Sequence, residues 1–256
     1  MEIKESVVQS LDGRDSTLYP LLPYLLQDLW EIGSSPDEII GLIKRNSLSD
    51  QINTVLDLGC GKGAVSIRLS REFGWQAHGI DAMPEFIKDA ISKSREYDVE
   101  DLCRFEVGDI REKMMNLQTY DLIVLGSIGP VFGDIGVTLK TIKPRIASDG
   151  YCILDDGYAL TPELAEKHGY PTKEKAHQTI QKTGYTILEE YIIPQNEIAE
   201  SDNEIFQQIE FRVQELIQKH PDKKELLEGY LRAQREEGAI LENDLACVTW
   251  LLKIAH

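Results

Sequence analysis

The sequence predicts an α/β chain built on a parallel sheet with helices on both faces, and three observations carry that expectation. Between about Asn53 and Tyr158, short apolar runs alternate with segments of helical period. The first run breaks into three alternating glycines that open a helix, the pattern of a tight strand-to-helix turn. Acids follow at or near the ends of the first three runs, Asp57, Asp81 and Asp109, which puts them at one edge of the sheet.

Taken in order, residues 1–50 read as a helical extension. Leu21, Leu22, Leu25, Leu26, Leu29 and Trp30 form one helical region, Gly33-Ser34-Ser35-Pro36 breaks it, and a short helix follows from Pro36 to about Lys44. Five strands are expected at Thr54 to Leu58, Gln76 to Ile80, Arg104 to Val107, Asp121 to Leu125 and Tyr151 to Leu154. Their connectors carry apolar stripes, with Val65, Leu69 and Phe73 at four-residue spacing, then Phe86 with Ala90 and Ile87 with Ile91. Pro84 suits a first helical turn, and Pro144 followed by Gly150 ends the helix that carries Leu139 and Ile142.

Beyond these, Pro171 to Thr183 reads as a helix, Tyr185 to Ile193 as a sixth strand and Ala246 to Ile254 as the last. Between those two strands, Ile205, Ile209, Val213, Leu216 and Ile217 share one helical face, and a second helix runs from Pro221 to end near Gly238. The expected organisation is one domain of residues 1–256: a core of 51–194 and 246–256, with 195–245 as a helical insertion. Residues 195–246 hold 13 acidic and 6 basic side chains, a net of −7, so a strongly solvated outer face is expected there.

Composition bounds the partners. The 256 residues hold 27 basic and 44 acidic side chains, a formal charge of −17, which argues against duplex DNA or an anionic membrane as main partner. Hydrophobic content of 42% and a mean hydropathy of −0.28 suit an ordinary soluble globular protein, and no apolar run approaches a bilayer span. Met1 to Ser10 carries charge where a secretion signal needs an apolar stretch, so the expected address is cytoplasmic. Cys60, Cys103, Cys152 and Cys247 show no CxxC spacing, and neither zinc nor disulfides are implied.

The chemistry is carried by Val55-Leu56-Asp57-Leu58-Gly59-Cys60-Gly61-Lys62-Gly63. The glycines let a ligand lie against the backbone at a helix N-terminus. Asp57 is an acceptor suited to an ammonium and would repel a pyrophosphate. The spacing Gly59-x-Gly61-x-x-Ala64 also satisfies a dinucleotide fingerprint, but that reading leaves Asp57 unexplained. Asp81 ends the second strand, where an acid accepts from both hydroxyls of a ribose. The third strand ends in Gly108-Asp109-Ile110, where an acid meets an exocyclic amine, and the fourth in Leu125-Gly126-Ser127.

In this order the motifs resemble those of the class I S-adenosylmethionine-dependent methyltransferases of small-molecule type, over roughly Asn53 to Tyr158. The resemblance implies a Rossmann-like, doubly wound, seven-stranded mixed sheet whose last strand is antiparallel and lies beside the sixth. It implies S-adenosyl-L-methionine as cofactor and S-adenosyl-L-homocysteine as product. By position, Asp57, Gly59, Cys60 and Gly61 would line the methionine end, Asp81 and Ala82 the ribose, Asp109 and Ile110 the adenine, and Gly126 and Ser127 the wall beneath the sulfonium.

The acceptor pocket is expected beyond the strand ends, at Gly126-Ser127-Ile128-Gly129-Pro130 and Asp155-Asp156-Gly157-Tyr158. The first loop lacks the Asn/Asp-Pro-Pro-Tyr/Phe sequence of amide and amino methylators. Asp155, Asp156 and His168 are the candidates for a catalytic base, each set against a plainer role as cap, solvated acid or surface residue. Tyr19 and Tyr158 are candidates for pocket lining. No metal is expected, because Ser127 and Ile128 stand where a metal-dependent relative carries acids. The N-terminal helices and the insertion are expected to cap the acceptor, which favours a small molecule. A protein or RNA methyltransferase, a non-catalytic binding module, and a homodimer remain open alternatives.

Overall fold

The computed structural model describes residues 2–255. Helices α1 (Ile3–Ser10) and α2 (Leu22–Leu25) precede α3 (Pro36–Arg45), and the alternating core follows: β1 (Thr54–Leu58), α4 (Ala64–Phe73), β2 (Gln76–Asp81), α5 (Pro84–Glu96), β3 (Cys103–Val107), α6 (Ile110–Lys113), β4 (Tyr120–Leu125), α7 (Ile135–Ile142) and β5 (Ile146–Ala159). Then come α8 (Pro162–His168), α9 (Lys173–Lys182), β6 (Tyr185–Ile192), α10 (Gln195–Lys219), α11 (Lys224–Asn243) and β7 (Leu245–Ile254).

The seven strands form one sheet in the order β3-β2-β1-β4-β5-β7-β6. The first five are parallel, and β7 runs antiparallel between β5 and β6. The fold is the Rossmann-like mixed sheet implied by the resemblance. Its registers are set early: Asp121 Oδ2 accepts from the backbone N–H groups of Asn53 and Thr54, each at 2.9 Å, and locks the starts of β1 and β4 together.

One face of the sheet packs Leu56, Leu58, Ile123 and Trp250 against Leu139 of α7 and Ile180 of α9. The other packs Val55, Val124 and Ile153 against Ile39 and Ile43 of α3 and Leu69 of α4. A third apolar cluster lies off the sheet. There Val8, Leu18, Leu22 and Leu26 meet Met83 and Phe86 of α5 and Ile209, Val213, Leu227 and Tyr230 of α10 and α11. Two segments at opposite ends of the chain therefore share one core above the strand ends.

Several boundaries differ from expectation. The Leu21–Trp30 region is not one helix: Pro20 and Pro23 confine it to a 3₁₀ turn over Ser16–Leu21 and the short α2. Strand β5 runs through Gly150, which ends no helix, and α11 continues past Gly238 to Asn243. Helices α1 and α8 have no counterpart in the sequence reading. Among the described residues no helix is long and apolar enough to cross a membrane.

Candidate active site

Strand β1 ends in a turn whose glycines, Gly59, Gly61 and Gly63, all have positive φ, at 72°, 52° and 77°. At Gly63 a Cβ would come within 2.8 Å of the Phe105 ring, whereas at Gly61 nothing lies within 4 Å. Gly61 thus faces open space. Gly59, Cys60, Gly61 and Gly126 line one cleft together with Asp57, and Trp30, Ile32 and Ser34 close it from the N-terminal side.

Asp57 is buried, and its Oδ2 accepts from the Ser66 hydroxyl at 2.7 Å. Burial pushes its carboxyl up to about 6, against the opposing pull of the Ser66 bonds. Asp81 holds the turn itself: its Oδ2 accepts from Gly61 N at 2.9 Å and its Oδ1 from Met83 N at 2.8 Å, with a further bond from Ala82 N. Burial still raises it. Tyr19 lies within the field of Asp81 and Glu85, so the N-terminal segment reaches the end of β2 as well.

Asp109 caps α6 by accepting from Arg111 N at 2.9 Å, and its carboxylate also takes Arg111 Nη2 at 2.6 Å. The guanidinium holds it below the usual carboxylate range. The adjoining Ile110 is buried in the sheet core. Gly126 and Ser127 meet the break between the N-terminal segment and α3: a Cβ on Gly126 would lie 2.5 Å from Ser34 Oγ, and one on Gly33 would lie 2.6 Å from Ser127 Cβ. Ser127 itself takes a left-handed φ of 53°.

Of the three base candidates, Asp155 and Asp156 follow one another on β5 and so point to opposite faces of the sheet, and none of the three is among the residues that line the cleft, although Ser34, which bonds Asp155, is. Asp155 Oδ2 accepts from the Ser34 hydroxyl, and its Oδ1 is buried without a hydrogen-bond donor. Burial raises its pKa. Asp156 is exposed at the surface, with enough protein close around its carboxyl to push it up to about 6. His168 Nε2 lies 2.7 Å from Asp244 Oδ2 at the far end of α11. Tyr158 packs in the sheet core beside Trp250.

Sequence reasoning missed the residues that bring the N-terminal segment onto the glycine turn. Trp30 Nε1 donates to Lys62 O at 3.1 Å, and the buried Lys62 ammonium donates to Leu26 O at 2.6 Å. A lysine inside a glycine-rich turn reads as a solvated charge. Only its 4% exposure reveals a structural tie.

Comparison with known proteins agrees with this geometry. A family model described as a methyltransferase domain matches residues 49–192. The chain is 30% identical over 76 residues to norajmaline N-methyltransferase from Rauvolfia serpentina, covering 30% of this chain and 26% of that one. It is 33% identical over 97 residues to malonyl-[acyl-carrier protein] O-methyltransferase from Acetivibrio thermocellus, covering 38% and 32%. The matches thus span about a quarter to a third of the length of these curated relatives. In fold, the chain resembles a methyltransferase from Thiobacillus denitrificans solved with S-adenosyl-L-homocysteine, with a TM-score of 0.74 at 16% identity over 91% of this chain and 98% of that one. The chain belongs to the methyltransferase-domain family, the class I S-adenosylmethionine-dependent methyltransferases.

Proposed function

We propose that the chain transfers the methyl group of S-adenosylmethionine to a small-molecule acceptor bound under the cap. One observation carries the reading: the third apolar cluster, built from the N-terminal segment and the insertion, stands over the strand ends where the fold places its ligands. A cover of this kind encloses a small acceptor and obstructs a polymer. Of the two curated relatives, norajmaline N-methyltransferase is named for a small-molecule acceptor, which supports the reading, whereas malonyl-[acyl-carrier protein] O-methyltransferase is named for an acyl group carried on a protein.

The residues present fit the cofactor. Gly61 leaves open space against the backbone, and Asp57 offers a buried carboxylate that a cationic amino group would draw into its charged form. In this reading Asp57, Gly59, Cys60 and Gly61 hold the methionine end, Asp81 and Ala82 the ribose, Asp109 and Ile110 the adenine, and Gly126 and Ser127 the wall nearest the reacting methyl. When bound, the cofactor supplies an electrophilic methyl carbon on sulfur. The chain aligns the acceptor, excludes water through the cap, and accepts a proton where the acceptor carries one. Asp155 Oδ1, buried without a donor, and Asp156, raised to about 6, are the groups suited to that last task.

Calorimetry tests the cofactor half. S-adenosylmethionine and S-adenosylhomocysteine should both bind, and Asp81→Ala should weaken them by about 1–3 kcal/mol as a carboxylate's hydrogen bonds are lost. Absence of binding to either refutes the proposal. Mass detection of one added methyl in a metabolite extract tests the transfer.

A further inference from the structure

The N-terminal segment fills the glycine-turn cleft as well as closing it. Residues 30–34 run between Leu29, buried in the apolar cluster of the cap, and Ser35, which caps α3 by accepting from Glu38 N. Along this stretch Gly33 lies flush on Ser127, and the buried Ser34 lies on Gly126. On the other wall, a Cβ on Gly59 would come within 2.5 Å of Ile128 Cγ2. Bare backbone at Gly59 and Gly126 would let a ligand lie directly against the chain, yet a side chain of the protein itself covers each. Ile128 follows Ser127, on which Gly33 rests, so the segment and the loop after β4 cover the cleft as one layer.

The room that remains is small. The cleft that Trp30 and Ser34 share with Asp57, Gly59, Gly61 and Gly126 has a volume of about 30 Å³. That admits about two water molecules. A ligand of cofactor size needs a site of about 300 Å³ or more. With residues 30–34 in this place, the methionine end of the cofactor has no room to enter.

The segment is fastened lightly enough to leave. Among the described residues no backbone hydrogen bond involves residues 30–34. Two side-chain bonds hold the stretch, Trp30 Nε1 to Lys62 O at 3.1 Å at one end and the Ser34 hydroxyl to Asp155 Oδ2 at the other. The Trp30 ring also rests on Tyr97, with centroids 4.9 Å apart, and Glu31 meets Arg68 at 3.7 Å in an exposed pair that adds little. A stretch with few tethers and no backbone ladder opens at low cost. Its two ends are anchored, so it lifts without unpacking the cap or α3.

We propose that residues 30–34 are an internal strap that occupies the cofactor cleft and competes with S-adenosylmethionine, so that the chain loads only when the strap lifts off Gly126 and Ser127. The inference rests on the methyltransferase reading above and adds to it a gate on the cofactor. Binding then selects open chains, and the apparent affinity is the intrinsic one reduced by the open fraction.

The test is surface plasmon resonance of S-adenosylhomocysteine on the immobilised full chain, with two variants that loosen the strap. Ser34→Ala removes the bond to Asp155, and Gly33→Ala drives a Cβ to 2.6 Å from Ser127 Cβ. Each should raise the association rate constant about fivefold or more, because a larger open fraction admits ligand more often. Without ligand, acrylamide should quench Trp30 fluorescence about twofold more strongly in both variants than in the parent. Trp75 and Trp250, both buried, contribute little to that signal. Protected β1 and β4 amides in hydrogen exchange control for folding. Association that is unchanged in both variants would overturn the proposal, as would slower association, the mark of a strap that clasps bound cofactor instead of excluding it. Parental quenching in both variants would overturn it as well. Failure of S-adenosylhomocysteine to bind the parent and both variants would strike the cofactor reading itself, whereas binding at unchanged rates strikes the strap alone.

Discussion

The Ser34 hydroxyl donates to Asp155 Oδ2 across 121 positions of sequence, and this bond fastens the N-terminal segment to the end of β5 beside the glycine-turn cleft. Ser34 is the first of two hydroxyl side chains that hold the charged form of Asp155, the other being Thr249 across the ladder on β7. Ser34→Ala should cost about 1–3 kcal/mol, the usual penalty for stripping a donor from a buried charged acceptor. The loss should be local. Hydrogen exchange over residues 26–35 should quicken while β1 and β4 stay protected, and uniform protection in the variant would refute the tie.

The glycine turn gives a paired expectation. Gly63→Ala meets both a left-handed φ and the Phe105 ring, so about 2–4 kcal/mol of stability should be lost in urea unfolding. Gly61→Ala meets only the φ, at about 1–2 kcal/mol, but it fills the space facing the cleft. S-adenosylhomocysteine binding should therefore suffer in Gly61→Ala out of proportion to its stability. Equal stability losses in the two variants would contradict this account.

Four carboxyls, Asp12, Asp57, Asp156 and Asp202, have pKa values raised from the ordinary 3.8 to about 6 or 7 in the folded chain. The folded state binds their protons more tightly than the unfolded chain. Their contribution is therefore complete below about pH 4 and is lost as pH rises through 6 to 7. The lowered pKa of His78 opposes this, as one group against four. Discounting Asp156, which is more than a third exposed, and the partly exposed Asp202, stability should gain about 1–2 kcal/mol between pH 8 and pH 6, or about 2–6 °C in melting temperature for a chain of this size. A melting temperature that falls over that interval would sink the account.

Ligand binding should respond in the opposite sense. A cationic amino group beside Asp57 requires the carboxylate, so affinity for S-adenosylhomocysteine should rise as pH increases from 5 to 7, levelling above about 6. The groups that act on Asp57 are the Ser66 hydroxyl and Asp81, and neither supplies a compensating positive charge. Asp57→Asn should flatten the profile. A flat profile in the parent chain would show that Asp57 does not meet the ammonium.

The parts legible in the sequence were those decided by neighbours in the chain. Gly59, Gly61 and Gly63 imposed their turn, and the apolar runs at β1 and β4 could be little else than buried strands. Asp109 is visible as an acid at a strand end, but nothing in the sequence shows that Arg111, two residues on, folds back to pair with it. Gly150 and Gly238 misled because packing overrode their local meaning: one lies in a long strand, the other inside a helix. Helix α1 was invisible because Ile3–Ser10 is mostly polar, with only Ser6 and Val8 buried. The inward turn of Asp202, whose Oδ2 is buried without a donor, is hidden for a different reason: charge along a helix does not reveal which turn of it packs inward.

The core shared by the N-terminal segment and the insertion also constrains how the chain comes to be folded. Asp12 and its partner Gln234 are 222 positions apart, so that core cannot form until both cap helices and the strands that carry them exist. On the ribosome, Leu18, Leu22 and Leu26 emerge early and must wait, with their apolar faces uncovered, through the synthesis of the entire sheet. Closure of the cap is then the slow, long-range step of folding, and the stage at which nascent copies are most exposed to one another.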